Sequence, residues 1–201
     1  MTDLTALAIV CTLKKSPEES SSELLASQIL DELKTHGVTT ESLRFVDFDI
    51  AHGVTTDEGD GDEWPALRAK VLAADILVVA APSWLGQLAS PGQQLLERLD
   101  AELSEEDDAG RPTMYDKVAV VGVVGNEDGA HHITAQVFQG LADLGFTIPA
   151  QGATYWNDEA MGSRDYKDLA ETPEAVASAT KALAANAAHL AGLLKGGAYP
   201  A

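Results

Sequence analysis

At 201 residues, 45% of them apolar, the chain is long enough to bury one sizeable core and short for two. It carries 32 acidic against 13 basic residues, a net charge of −19, so its surface repels nucleic-acid phosphates and anionic lipid, and neither is expected as a partner. Cys11 is alone, which excludes an intrachain disulfide; with no signal-type leader and no apolar run of bilayer length, a reducing, cytoplasmic location is expected.

The first strand is expected at Leu4 to Thr12, "LTALAIVCT", apolar enough to be covered on both faces. A polar loop follows, and then "SELLASQILDELKTHG" places Leu24, Leu25, Ile29, Leu30 and Leu33 at helical spacing before Gly37 ends the helix. "ESLRFVDFD" reads as the second strand. Ile50 to Glu63 is rich in Gly and Asp and reads as an exposed loop; its "DEGDGDE" run lacks the ligand order of a calcium loop and is expected to be solvated. A short helix from Trp64 to Ala73 precedes the third strand, Ile76 to Ala81.

Another helix is expected from Pro91 to Leu103, with proline in the first turn where a missing N–H does no harm. "KVAVVGVVG" supplies the fourth strand, "HHITAQVFQGLADL" an amphipathic helix, "TIPAQGATYW" the fifth strand, and Glu174 to Lys195 an Ala-rich closing helix. Continuously apolar strands alternating with helices predict an α/β fold, a doubly wound five-stranded parallel sheet with helices on both faces. The expected strand order is 2-1-3-4-5, with residues 1–201 forming a single domain. In such a sheet ligands gather beyond the carboxyl ends of strands 1, 3 and 4.

The loops at those three ends carry the candidate chemistry. Thr12, Lys14, Ser20, Ser21 and Ser22 offer hydroxyls and a cation at a helix start, which suits a phosphate; an ordinary serine cap with Glu23 three residues on is the plain alternative. After strand 3, Pro82, Ser83, Trp84, Leu85, Gly86 and Gln87 combine flat apolar surface with backbone groups for the edge of a planar ring, such as an isoalloxazine; alternatively Trp84 only covers the sheet end. After strand 4, Gly125, Asn126, Glu127, Asp128, Gly129 and His131 can bring backbone close to the same ligand, with helix capping as the plain reading of Asp128. His131 and His132 project about 100° apart on a helix, so no zinc site is expected. No loop pairs a nucleophile with a base, which leaves the chemistry to a cofactor and no side chain as catalyst.

Four pieces, "CTLKKSPEESSS", "GDGDEWPALR", "APSWLGQLASPGQQLLERLD" and "VVGNEDGAHHITAQVFQGLADLGFTIPAQGATYW", span most of the chain. Together they resemble the flavodoxin-like NADPH-dependent FMN reductases and NAD(P)H-dependent oxidoreductases. The resemblance implies bound FMN, with phosphate at Thr12, Lys14 and Ser20 to Ser22 and ring contacts at Pro82 to Gln87 and Gly125 to His131. It also implies a homo-oligomer that completes the pocket. The first loop departs from both the TxTGxT loop of flavodoxins and the compact loop of many FMN reductases.

The expected function is therefore an oxidoreductase in which NADPH or NADH visits transiently, hydride reaches the flavin N5, and electrons leave to a quinone, free flavin or other small acceptor. A flavodoxin-type electron carrier acting through a protein partner is the alternative, and a scaffold that has lost its cofactor is a third. The segment "NDEAMGSRDYKDLAETP" after Trp156 is expected to act as a lid or substrate loop, with Tyr155 and Trp156 near the ring.

Overall fold

The computed structural model of the chain describes residues 3–159 and 162–200; residues 160 and 161 of the expected lid segment lie outside the described residues. Its strands are β1 (Thr5–Val10), β2 (Thr39–Arg44), β3 (Ile76–Trp84), β4 (Gln87–Leu88), β5 (Val118–Gly125) and β6 (Ala153–Asn157). Its helices are α1 (Ser21–Thr35), α2 (Trp64–Ala73), α3 (Ser90–Leu99), α4 (Ala130–Asp143) and α5 (Glu174–Gly196). The long strands pair in parallel in the order β2-β1-β3-β5-β6, and β4 hangs antiparallel on the end of β3. Leaving the short β4 aside, this is the predicted order.

The apolar runs are continuous because both faces of the sheet are covered. Ala6, Ala8 and Val10 of β1 with Ile76, Val78 and Ala80 of β3 face one layer, packed on Leu25 and Ile29 of α1 and Leu183 and Ala187 of α5. Their neighbours Leu7, Ile9, Leu77, Val79 and Ala81 face the other, against Leu67 of α2, Leu95 of α3 and Ile133 and Val137 of α4. Each large aliphatic side chain buried this way contributes about 1.5–3 kcal/mol before entropy is counted.

Three element boundaries shift. β2 begins at Thr39 and stops at Arg44, because its only neighbour β1 runs out at Val10, the partner of Arg44; a 3-10 turn, Phe45–Asp47, follows. The last strand starts at Ala153, since Pro149 has no N–H to donate and Gln151 turns the chain at φ 54°. The helix expected to reach Leu103 gives way to a 3-10 turn at Asp100.

The acidic run before α2 is not simply solvated. The Asp62 side chain is only 1% exposed and pairs at 2.8 Å with Arg98, whose side chain is wholly buried. The carboxylate also accepts from the backbone N–H groups of Ala51, Glu58 and Trp64. A carboxylate can be buried when charge and lone pairs are satisfied together, which composition alone does not reveal.

Candidate functional site

The carboxyl ends of β1, β3 and β5 open into a cleft. Of the expected site residues, Thr12, Lys14, Ser20, Ser21, Ser22, Pro82, Ser83, Trp84, Gly125 and Asn126 line it. Leu85, Gly86, Gln87, Glu127, Asp128, Gly129 and His131 are not in its lining. Trp156, expected near the ring, lines the cleft, and so do Leu13, Val124, Asp165 and Tyr166.

At one end of the cleft the hydroxyls are oriented by what they accept. Ser20 is the N-cap of α1, and its Oγ accepts from the Glu23 N–H at 3.3 Å. Thr12 Oγ1 accepts from the Lys14 N–H at 3.3 Å, and Ser21 Oγ accepts from the Lys167 N–H at 3.2 Å. A hydroxyl has one proton and two lone pairs. With a backbone donor on one lone pair, each of the three keeps its proton free for a ligand. Capping and donation toward the cleft are thus compatible, because capping by acceptance leaves the donor unused. The first N–H groups of α1, which have no partner four residues back, add positive potential at the same place.

The loop that carries this end is fastened from outside. Arg44, 4% exposed, pairs with Glu23 and donates to the backbone carbonyls of Lys14, at 3.1 Å, and Glu18. The Glu23 hydrogen bond, set against burial, holds the guanidinium charged above its ordinary range. Ser16 donates its N–H and its hydroxyl to Asp47, at 2.9 and 2.6 Å. Glu18 and Glu19 are exposed, so they do not crowd this end of the cleft with negative charge. Lys14 lines the cleft and donates to the Glu19 carbonyl at 3.3 Å.

At the other end the expected loop Pro82 to Gln87 is a β-hairpin. β3 continues to Trp84, and Leu85 and Gly86, at φ 53° and 70°, turn it into β4. Two successive positive φ values match the twist of a hairpin, and a leucine in the first of them gives little sign of it in sequence. Trp84 stays 55% exposed while lining the cleft, so it does more than seal the sheet end.

The hairpin and the loop after β5 are locked together. Ser83 Oγ donates to the Asp128 carbonyl at 3.2 Å, and the Gly86 N–H donates to Glu127 at 3.3 Å. A Cβ at Gly129, where φ is +126°, would lie 2.6 Å from the Gly86 Cα, so this backbone contact admits only glycine. A Cβ on Gly125 would sit 2.9 Å from that of Ser83.

Asp128 does not cap α4; Gly129 is the N-cap, and no side chain bonds there. His131 Nε2 meets the Tyr155 hydroxyl at 3.0 Å and His132 Nε2 meets Gln87 Oε1 at 3.0 Å. Tyr155 itself is absent from the cleft lining. Among the described residues no group of three His, Cys, Asp or Glu side chains is placed to hold a metal ion. Nor is any helix there long and apolar enough to cross a membrane.

Sequence reasoning left out Arg44 as a site residue and reached Asp165 and Tyr166 only as part of the expected lid segment. Arg44 shares a strand pattern with residues of no special role. The other two sit in a polar segment without periodicity, and only their contacts across the fold mark them.

Residues 4–160 match the family described as NADPH-dependent FMN reductase. The chain belongs to that family. The family's description names FMN and NADPH. The chain is 35% identical over 162 residues to the 8-demethyl-8-aminoriboflavin-5′-phosphate synthase of Streptomyces davaonensis, covering 76% of this chain and 63% of that protein. It is 40% identical over 169 residues to a protein of Mycobacterium bovis named divalent metal cation transporter MntH, covering 82% of this chain. The match takes in only 25% of that protein. The chain thus spans less than two thirds of the length of both curated relatives.

Among solved structures, RosB with a bound 8-demethyl-8-formylriboflavin-5′-phosphate intermediate superposes with a TM-score of 0.88 at 32% identity, over 98% of this chain and 82% of that one. An archaeal flavodoxin, at 9% identity, shares the fold with a TM-score of 0.60 over 94% of this FMN reductase family member and 99% of the flavodoxin.

Proposed function

We propose that the chain binds FMN in this cleft and works as an NAD(P)H-dependent oxidoreductase. The observation that carries the reading is the set of three hydroxyls, on Thr12, Ser20 and Ser21, each held as a proton donor toward one end of a cleft at the sheet's switch point. Such donors beside a helix N-terminus suit a phosphate, and Lys14 supplies a counter-charge. Trp84, Trp156 and Tyr166 give flat apolar surface for a ring, and Gly125 lets the backbone approach. Asn157, paired in register with Gly125, has a buried Oδ1 without a hydrogen-bond partner, a further polar atom ready for a ligand beside the cleft.

Bound there, FMN supplies hydride acceptance at N5 from NADPH or NADH and onward transfer to a quinone, flavin or other small acceptor. The protein's own part is to anchor the tail, fix Ser83 through the Asp128 carbonyl and limit water on the ring's inner side. A titration with FMN, followed by anaerobic addition of NADPH or NADH, tests the reading. A yellow complex that bleaches is expected. An FMN spectrum that the protein leaves unperturbed would end it.

The likeness to a synthase acting on a riboflavin phosphate favours a second reading, in which the flavin phosphate is itself the substrate. Mass spectrometry of the flavin recovered after turnover separates the two. Unchanged FMN identifies a cofactor; a flavin altered at position 8 identifies a substrate.

A further inference from the structure

The family match ends at residue 160, yet the wall of the cleft does not. The segment that follows crosses the N-terminal end of α1 and contributes Asp165 and Tyr166 to the lining. It is pinned at three points. The Tyr166 hydroxyl donates to Gln28 Oε1 at 2.6 Å, and Gln28 Nε2 donates to Thr172 Oγ1 at 2.9 Å. The Lys167 N–H donates to Ser21 Oγ at 3.2 Å. The Tyr166 ring also packs on Trp156, with centroids 5.5 Å apart.

The Ser21 contact connects the strap to the chemistry of the cleft. With the strap docked, Ser21 spends a lone pair on Lys167 and keeps its proton for the ligand. With the strap away, that hydroxyl is free to rotate, and its proton no longer has a fixed direction. Docking of the strap and binding of an anionic tail therefore favour each other, and by linkage the coupling is reciprocal.

Resting on the FMN reading above, we infer that residues 162–172 are a specificity-determining strap for flavin 5′-phosphates. Through the Lys167–Ser21 bond the strap orients the anion-binding hydroxyl, so a phosphorylated flavin stabilises the strap more than an unphosphorylated one does. Gln28 is the positioning residue, because it holds the strap at two points without lining the cleft.

Four proteins test this: wild type, Gln28→Ala, Ser21→Ala and the double variant, each titrated with FMN and with riboflavin. Gln28→Ala is expected to weaken FMN binding about five-fold more than riboflavin binding, the scale of one hydrogen bond. In the Ser21→Ala background the same change should no longer discriminate. Trypsin gives a second readout, since Arg164 and Lys167 lie in the strap and Arg164 is exposed. FMN should slow cutting there several-fold more than riboflavin does.

Equal protection by both flavins, or additive losses in the double variant, would overturn the coupling while leaving the FMN reading intact. A wild type that binds neither flavin would overturn both. Tyr166→Phe repeats the test at the other partner of the Gln28 contact should Gln28→Ala fail to fold.

Discussion

Ser20 has two jobs that substitution can separate. Its Oγ caps α1 by accepting from the Glu23 N–H, and its proton is left for the cleft. Ser20→Ala removes both. It should cost about 1 kcal/mol of stability from the lost cap, and weaken FMN about ten- to a hundred-fold from the lost hydrogen bond to a charged group. Ser20→Asp keeps the cap, since aspartate accepts from the same N–H and its charge suits the helix dipole. It has no proton to give, and it sets a negative charge beside the phosphate. At about 4 Å and an effective dielectric of about 20 that repulsion is about 4 kcal/mol, nearly three decades in affinity. Urea melts and FMN titrations on both variants read stability and binding independently. An aspartate variant that keeps wild-type stability and binds FMN within a few-fold of wild type would refute the assignment of this end of the cleft to an anion.

Burial pushes the Asp62 carboxyl up, but the N–H donors of Glu58, Trp64 and Ala51, with Arg98, bring it below its ordinary 3.8. The unfolded chain therefore takes up this proton first as pH falls. The stabilisation is full at neutral pH and is lost as pH drops through 3.8 toward the folded-state value. Asp62→Asn, which leaves the buried Arg98 without its nearest counter-charge, should cost about 3 kcal/mol at pH 7 and flatten the acid limb of the stability curve measured by urea titration. Burial raises the Cys11 thiol to about 12, so a maleimide at pH 8 should leave the native protein unmodified and label one thiol after unfolding in guanidinium. Gly129→Ala, with its Cβ 2.6 Å from the Gly86 Cα at φ +126°, should cost about 2–3 kcal/mol and splay the hairpin from the loop after β5. Lowered FMN affinity together with a lower urea midpoint would confirm it.

The sheet, its order and the three loops at its carboxyl edge are legible in the residues because each rests on a local pattern. An apolar run such as Ile76 to Ala81 needs cover on both faces, and the leucines of α1 recur at helical spacing. Serine before a helix is a cap wherever it stands. What escaped this reading has its cause at a distance. Pro82 to Gln87 becomes a hairpin because Leu85 accepts a left-handed φ that its side chain disfavours. The Asp62 carboxylate is buried because Arg98, from α3, is brought to it.

The sequence by itself thus determined the βαβ architecture, the edge where the cleft opens and the chemical character of most residues there, since periodicity and capping act within a few residues of chain. Tertiary structure decided which of those residues share one cavity and which stay out of its lining. It also decided how the polar segment expected as a lid joins the wall, with Lys167 reaching Ser21 across 146 positions. Contacts of that span follow from how helices and strands close-pack, and no short window of sequence records them.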